Sequence, residues 1–272
     1  MKNIVLGRYI PLDSVIHKMD PRAKIIAMIT LLVAIFIDTG YIGYGIIAAF
    51  ILCAVFLAKL KLDFVWKALK PMLFMLCFLL VINVLVLKTG YVLVDIFGFK
   101  IYSDAIFQTL YIVIRLVLMI IITTLLTAST KPMDLTIAIE DLLSPFKVIG
   151  VPAHDIAMMI SIALRFIPTL LEESQRIMKA QESRGVDLQE GSFKEKVMAI
   201  LSLIVPLFVS SFQRADDLAN AMEARGYNPG GKRVRYKQLK LVLRDYIMLL
   251  CVFGLVAGLI ATKVTGILWE LR

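Results

Sequence analysis

The most specific chemistry in this 272-residue chain belongs to two arginines that close the same pattern, Ala-x-Glu-x-Arg-Gly. The first copy is Ala180, Glu182, Arg184, Gly185 and the second is Ala221, Glu223, Arg225, Gly226. A guanidinium is a planar fork of donors that makes bidentate, charge-assisted bonds to carboxylates, so an arginine at the tip of a rigid helix is a key for an acidic groove. The glycine that follows suits the left-handed conformation that ends many helices, and an arginine in the last turn complements the negative end of the helix dipole. Capping alone accounts for one Arg-Gly pair. It does not account for the matched Ala and Glu, nor for Pro168 preceding Gln175-Arg176 by the same distance as Pro206 precedes Gln213-Arg214. The duplication is a segment, and a duplicated surface motif implies a duplicated partner site. The stretch from the Gln-Arg pair to the terminal arginine is three residues longer in the second copy, nearly one helical turn, which predicts a second helix one turn longer.

Other reactive patterns fail on context. Gly226-Tyr227-Asn228-Pro229-Gly230-Gly231-Lys232 approaches a phosphate-binding loop, but Arg233 stands where Ser or Thr must hold magnesium, and the segment follows a helix where a strand is needed. Glu172-Glu173 and Asp216-Asp217 are neighbours about 100° apart around a helix and do not converge on one substrate. No serine, histidine and aspartate arrangement marks a triad. His17 and His154 lack companion ligands at metal-site spacing, so no metal is expected. Cys53, Cys77 and Cys251 lie in apolar runs and read as free thiols. The chain is expected to be no enzyme and to bind no cofactor itself.

The elements that must carry these tips are set by a composition of 60% hydrophobic residues and a mean hydropathy of +0.84, too apolar for a soluble domain. Five runs read as spans: Ile25–Ile37, Tyr41–Ala58, Met72–Leu87, Ala105–Ala128 and Tyr246–Thr262, with Lys24 and Lys70 placed to snorkel from the short ones. Charges ahead of the first run, without a small-residue cleavage site, argue against a signal peptide. Lysines at 59, 61, 67 and 70 make the second loop basic, so the positive-inside rule puts that loop and the N-terminus in the cytoplasm. The segment from about Thr130 to Arg244 is then cytoplasmic too, ending in the basic run Lys232, Arg233, Arg235, Lys237, Lys240 and Arg244, suited to anionic headgroups. The net charge of +9 is thus a topology signal, and the bilayer, not nucleic acid, is its partner. Three regions follow: 1–130 with four spans, 131–244 as a cytoplasmic helical domain, and 245–272 as the last span. Arg115 is the one full charge inside the five runs; it either contacts another subunit within the membrane or snorkels. The lack of acidic residues there counts against an ion-coupled carrier.

Within the cytoplasmic segment, helices are predicted at roughly 133–143, 152–184 and 193–225, with Ser-Pro at 144–145 and Val-Pro at 151–152 as boundaries. Both long helices begin apolar (Ile156–Leu171, Val197–Phe212) and end polar. Such helices can root their first halves under the membrane domain and project their tips, although Val197–Phe212 could also enter the bilayer.

These features resemble the transmembrane component of energy-coupling factor (ECF) transporters, ABC-type importers. In that family two cytoplasmic coupling helices end in Ala-Arg-Gly-like motifs, matched here by Ser183-Arg184-Gly185 and Ala224-Arg225-Gly226. Pro11-Leu12-Asp13-Ser14, His17, Asp20-Pro21-Arg22-Ala23-Lys24 and Arg165-Phe166-Ile167-Pro168 extend the likeness over essentially the whole chain. The resemblance implies an all-α integral membrane protein with about five transmembrane helices and a domain of long coupling helices. It implies two ABC-type ATPase subunits as partners, and a substrate-binding membrane component, dedicated or interchangeable, for vitamins or other micronutrients. A membrane scaffold binding a non-ATPase dimer is the alternative.

Overall fold

The computed structural model describes residues 9–37, 40–87, 89–96, 99–145, 152–186, 192–228 and 239–265. Eight helices account for most of them: α1 (Pro21–Ile35), α2 (Gly40–Leu57), α3 (Leu62–Val86), α4 (Ser103–Ser129), α5 (Pro132–Leu143), α6 (Ala153–Ser183), α7 (Phe193–Ala224) and α8 (Leu243–Thr265). Between α3 and α4 a short antiparallel hairpin, β1 (Val92–Ile96) and β2 (Phe99–Tyr102), pairs Asp95 with Lys100 and Ile96 with Phe99. The protein is a helical membrane protein, with this one small hairpin among the described residues.

Two compact units share the chain. The first comprises residues 1–145 and 239–272, the second 146–238. Helix α5 falls in the first because it packs on α1, where Arg22 Nη1 lies 3.4 Å from Asp141 Oδ2.

Among the described residues, six helices are long and apolar enough to cross a membrane: α2, α3, α4, α6, α7 and α8. Against the five expected spans, α1 drops out, since its 15 residues reach only about 22 Å at the α-helical rise. Helices α6 and α7 enter because each joins its apolar first half to a polar continuation in one helix of 31 or 32 residues. Pro71, Pro168 and Pro206 all lie inside helices that continue through them. The near-equal lengths of α6 and α7 also correct the expected extra turn: what α7 gains after its Gln-Arg pair it lacks before it.

The core of the first unit forms where α2 turns one stripe inward. Tyr44, Ile47, Ile51 and Val55 are buried at helical spacing, against Leu118 and Ile122 of α4, Leu31 and Ile35 of α1 and Val252 of α8. Between α3 and α4, Asn83 Nδ2 donates to Thr109 Oγ1 at 3.0 Å, an interhelical polar contact where lipid offers no alternative partner.

The segment ahead of α1 and its first turn tie three helix ends together. Asp20 caps α1, accepting from the Arg22 N–H at 2.8 Å and from its guanidinium at 3.0 Å. The Asp20 N–H in turn donates to Asp245 Oδ1 at 2.9 Å, and Asp245 Oδ2 takes the Val242 N–H at 2.7 Å. Asp245 is fully buried, its charge met by donors at the starts of α1 and α8. Lys24 does not snorkel. It is buried, and its ammonium donates to the carbonyl of Ser129 at 3.0 Å, to Thr130 Oγ1 at 3.2 Å and to the carbonyl of His17 at 3.4 Å, closing the C-terminal end of α4 where a cation suits the helix dipole. Burial lowers its pKa to about 8.

Candidate functional site

The two arginine motifs have the same backbone geometry. Arg184 is the C-cap of α6 and Arg225 the C-cap of α7. Gly185 has φ +84° and Gly226 φ +72°, the left-handed region that glycine enters at least cost. The Gly185 N–H donates to the Glu182 carbonyl and the Val186 N–H to the Gln181 carbonyl, both at 3.0 Å. In the second copy the Gly226 N–H reaches the Glu223 carbonyl at 2.8 Å and the Tyr227 N–H the Met222 carbonyl at 3.0 Å. Each is a Schellman motif, with both of its hydrogen bonds made. A Cβ on either glycine would meet nothing within 4 Å, so the requirement for glycine is conformational and not steric.

The motif side chains face outward. Ala180, Glu182, Ser183, Arg184 and Gly185 are exposed, as are Ala221, Glu223, Ala224, Arg225 and Gly226. Ser183, which replaces the alanine of the second copy, turns its hydroxyl back onto the Lys179 carbonyl at 2.9 Å and so adds no new surface donor.

Helix α7 starts with a capping box: Ser192 Oγ accepts from the Glu195 N–H, and Glu195 Oε2 accepts from the Ser192 N–H at 2.7 Å. Its packing on α6 fixes where the tips stand. Arg214 Nη2 meets Glu173 Oε2 at 3.1 Å, Gln181 Nε2 donates to the Ser202 carbonyl at 3.2 Å, and the Tyr227 hydroxyl points to Met158 Sδ at 3.2 Å. As residue numbers rise along α6, their partners fall along α7, so the two helices are antiparallel. The arginines therefore stand at opposite ends of the pair, on the order of 40 Å apart at the α-helical rise. The two tips face apart. One member of the duplicated Gln-Arg signal, Arg214, is a strut between the helices.

Much of α7 leaves its apolar face uncovered. Ile204, Val205, Phe208, Val209 and Phe212 are all exposed. Residues 229–232 of the near-phosphate-loop sequence and the basic run from Lys232 to Lys237 lie outside the described residues.

His17 and Arg115 have local partners. His17 Nε2 donates to the Ile10 carbonyl at 3.1 Å, which leaves Nδ1 to accept from Ser14 Oγ at 2.7 Å. Burial holds this imidazole below its ordinary pKa. The family-like N-terminal signature is thus a packing device, a role that its spacing in the sequence did not disclose. Arg115 Nε donates to the Tyr44 hydroxyl at 2.9 Å, and the guanidinium sits 5.2 Å from the Tyr111 ring centre and 5.5 Å from that of Phe36. Tyr44 passes its own proton to the Ile35 carbonyl at 3.0 Å. Aromatic faces thus hold the charge within the bundle, with no carboxylate in ion-pair reach among the described residues.

Comparison with known proteins agrees with this architecture. A family model described as cobalt transport protein matches residues 13–236. The energy-coupling factor transporter transmembrane protein EcfT of Lactococcus lactis is 40% identical over 270 residues, covering 99% of both chains. The protein of the same description from Clostridium kluyveri is 43% identical over 267 residues, covering 97% of this chain and 98% of its own. That of Bacillus subtilis is 40% identical over 257 residues, covering 94% and 97%. With a family-model match over most of its length and relatives at this identity along nearly all of it, the chain belongs to the EcfT family of energy-coupling factor transporter transmembrane proteins.

Proposed function

We propose that this protein is the non-catalytic coupling subunit of an ATP-driven importer for vitamins or other micronutrients. It transmits movement from two cytoplasmic ABC-type ATPase subunits to a substrate-binding membrane component. The observation that carries this reading is the pair of like-built, exposed arginine caps at opposite ends of one antiparallel helix pair.

Each ATPase subunit offers an acidic groove to one tip. Arg184 and Arg225 enter as bidentate donors, and the glycine turns set the angle at which they do so. When ATP and magnesium bind at the ATPase interface and the subunits close, the grooves displace the two ends of the helix pair. The strut between Arg214 and Glu173 keeps the helices moving together. The apolar face of α7 lies against the bilayer or the substrate-binding component, so the same motion reorients that component toward the cytoplasm. Coupling of this kind needs an element with two arrangements that both sites bias, and the helix pair is that element. In this reading the N-terminus and the helix pair are cytoplasmic, and Arg115 lies where α1, α2 and α4 meet a membrane partner.

The test is a detergent pull-down of the tagged chain expressed with its genomic neighbours, comparing wild type with Arg184→Ala/Arg225→Ala by mass spectrometry and ATPase assay. Two ATPase subunits present in wild type and lost in the double variant are the expected result. No ATPase in either sample would point to the scaffold reading instead.

A further inference from the structure

An apolar groove of about 390 Å³ opens in the first unit between α1, α2, α4 and α8. Its walls come from the last turns of α2 (Cys53, Leu57) and α4 (Leu125, Leu126) and the first turns of α8 (Ile247, Cys251). Its volume is that of a small-molecule site, yet its lining is almost wholly apolar. Three of the four helices are candidate spans, so the groove opens at membrane depth.

One end is different. There Lys24 and Arg244 border the cavity. Lys24 is committed to the Ser129 and His17 carbonyls and Thr130. Asp20 and Asp245, the nearby acids, are committed to Arg22 and to backbone N–H groups. Arg244 is not fully committed: one terminal nitrogen donates to the Lys18 carbonyl, while its Nε is buried without a hydrogen-bond partner among the described residues. The Arg244 side chain is only partly buried, and its guanidinium charge at the end of the groove is complementary to an anionic oxygen there.

We propose that this groove holds one acyl chain of an anionic phospholipid, whose headgroup phosphate accepts from Arg244. An apolar chain restores the dispersion contacts that an open groove forfeits. The charge at its end is complementary to the basic run that Arg244 terminates. An apolar helix of a protein partner would fill the groove but leave the Arg244 charge without an anion beside it.

The experiment uses the full chain with its copurifying partners in bilayer nanodiscs containing phosphatidylglycerol or phosphatidylcholine that carries a mid-chain diazirine, with crosslinked residues mapped by mass spectrometry. Phosphatidylglycerol is expected to label the groove residues of α2, α4 and α8 about fivefold more than phosphatidylcholine, the attraction of one basic residue for an anionic headgroup. Arg244→Gln should bring the two lipids level, and Cys53→Trp, at an exposed position, should remove groove labelling of both. A second readout needs no variant: excess phosphatidylglycerol should slow maleimide alkylation of Cys53 and Cys251 relative to Cys77, and phosphatidylcholine should not. Equal labelling by the two lipids in wild type, labelling indifferent to Cys53→Trp, or crosslinks from the groove to a partner peptide would each overturn the proposal.

Discussion

Gly226→Ala isolates the contribution of the turn from that of the arginine it presents. The glycine has φ +72° and open space where a Cβ would go, so alanine introduces no clash with neighbours. Its only cost is the left-handed backbone, about 1–2 kcal/mol for a residue with a Cβ. Relief of that strain means giving up the hydrogen bonds from Gly226 and Tyr227 to Glu223 and Met222, which frays the last turn and frees Arg225 from its fixed direction. If docking needs the closed turn, a cost of 1–2 kcal/mol weakens ATPase binding by about 5–30-fold. Asparagine tolerates the left-handed region far better, so Gly226→Asn should lose less than about threefold. The assay is titration of the purified ATPase pair against the nanodisc-embedded chain, with Gly185→Ala and Gly185→Asn as the matched set. Equal loss with alanine and asparagine would refute the conformational argument, and no loss with either would refute the role of the turn.

Arg184→Ala and Arg225→Ala should each cost roughly 2–5 kcal/mol of docking if the guanidinium is buried in a charge pair in the complex, with membrane insertion unchanged; full transport by the double variant would remove the mechanism. Arg214→Ala should leave both tips intact yet uncouple ATP hydrolysis from uptake, seen as ATPase activity retained while substrate accumulation falls. Asp245→Asn replaces a buried acceptor by a group that brings its own unpaired N–H donors, and should lower thermal stability by about 1–3 kcal/mol, measured by unfolding in detergent. For Lys24 the folded pKa of about 8 lies below the ordinary 10.5. The unfolded chain therefore binds more protons between these values, and this group's contribution to stability rises with pH through that window. Wild type should gain melting temperature relative to Lys24→Met between pH 7.5 and 9.5; a flat difference would contradict the assignment.

The helix ends of the second unit were legible because their punctuation is local. Pro152 and the two Arg-Gly turns place the start of α6 and the ends of both α6 and α7 within a residue of where they are found. The direction in which those helices pack was not legible, since it depends on Glu173 meeting Arg214 across 41 residues. Nor was the burial of Lys24 and Asp245: a charge beside an apolar run reads as an interfacial anchor until the partner that neutralises it, supplied by another helix end, is known. The helices long and apolar enough to span are not the same set as the five apolar runs for a related reason. Length and apolarity are local, but α1 stops at Ile35, and α6 and α7 carry apolar and polar halves in one continuous rod.

The antiparallel pair has a symmetry that neither helix has alone. Two rods of nearly equal length, ending in the same turn and the same arginine and lying head to tail, are exchanged approximately by a half-rotation about an axis between them. A surface of that kind matches a dimer whose own two-fold axis coincides with it, so that one chain without internal repetition elsewhere can meet two equivalent or homologous subunits at once. The separation of the tips then acts as a ruler: a dimer whose grooves stand much nearer or farther than the rods allow can engage one arginine but not both.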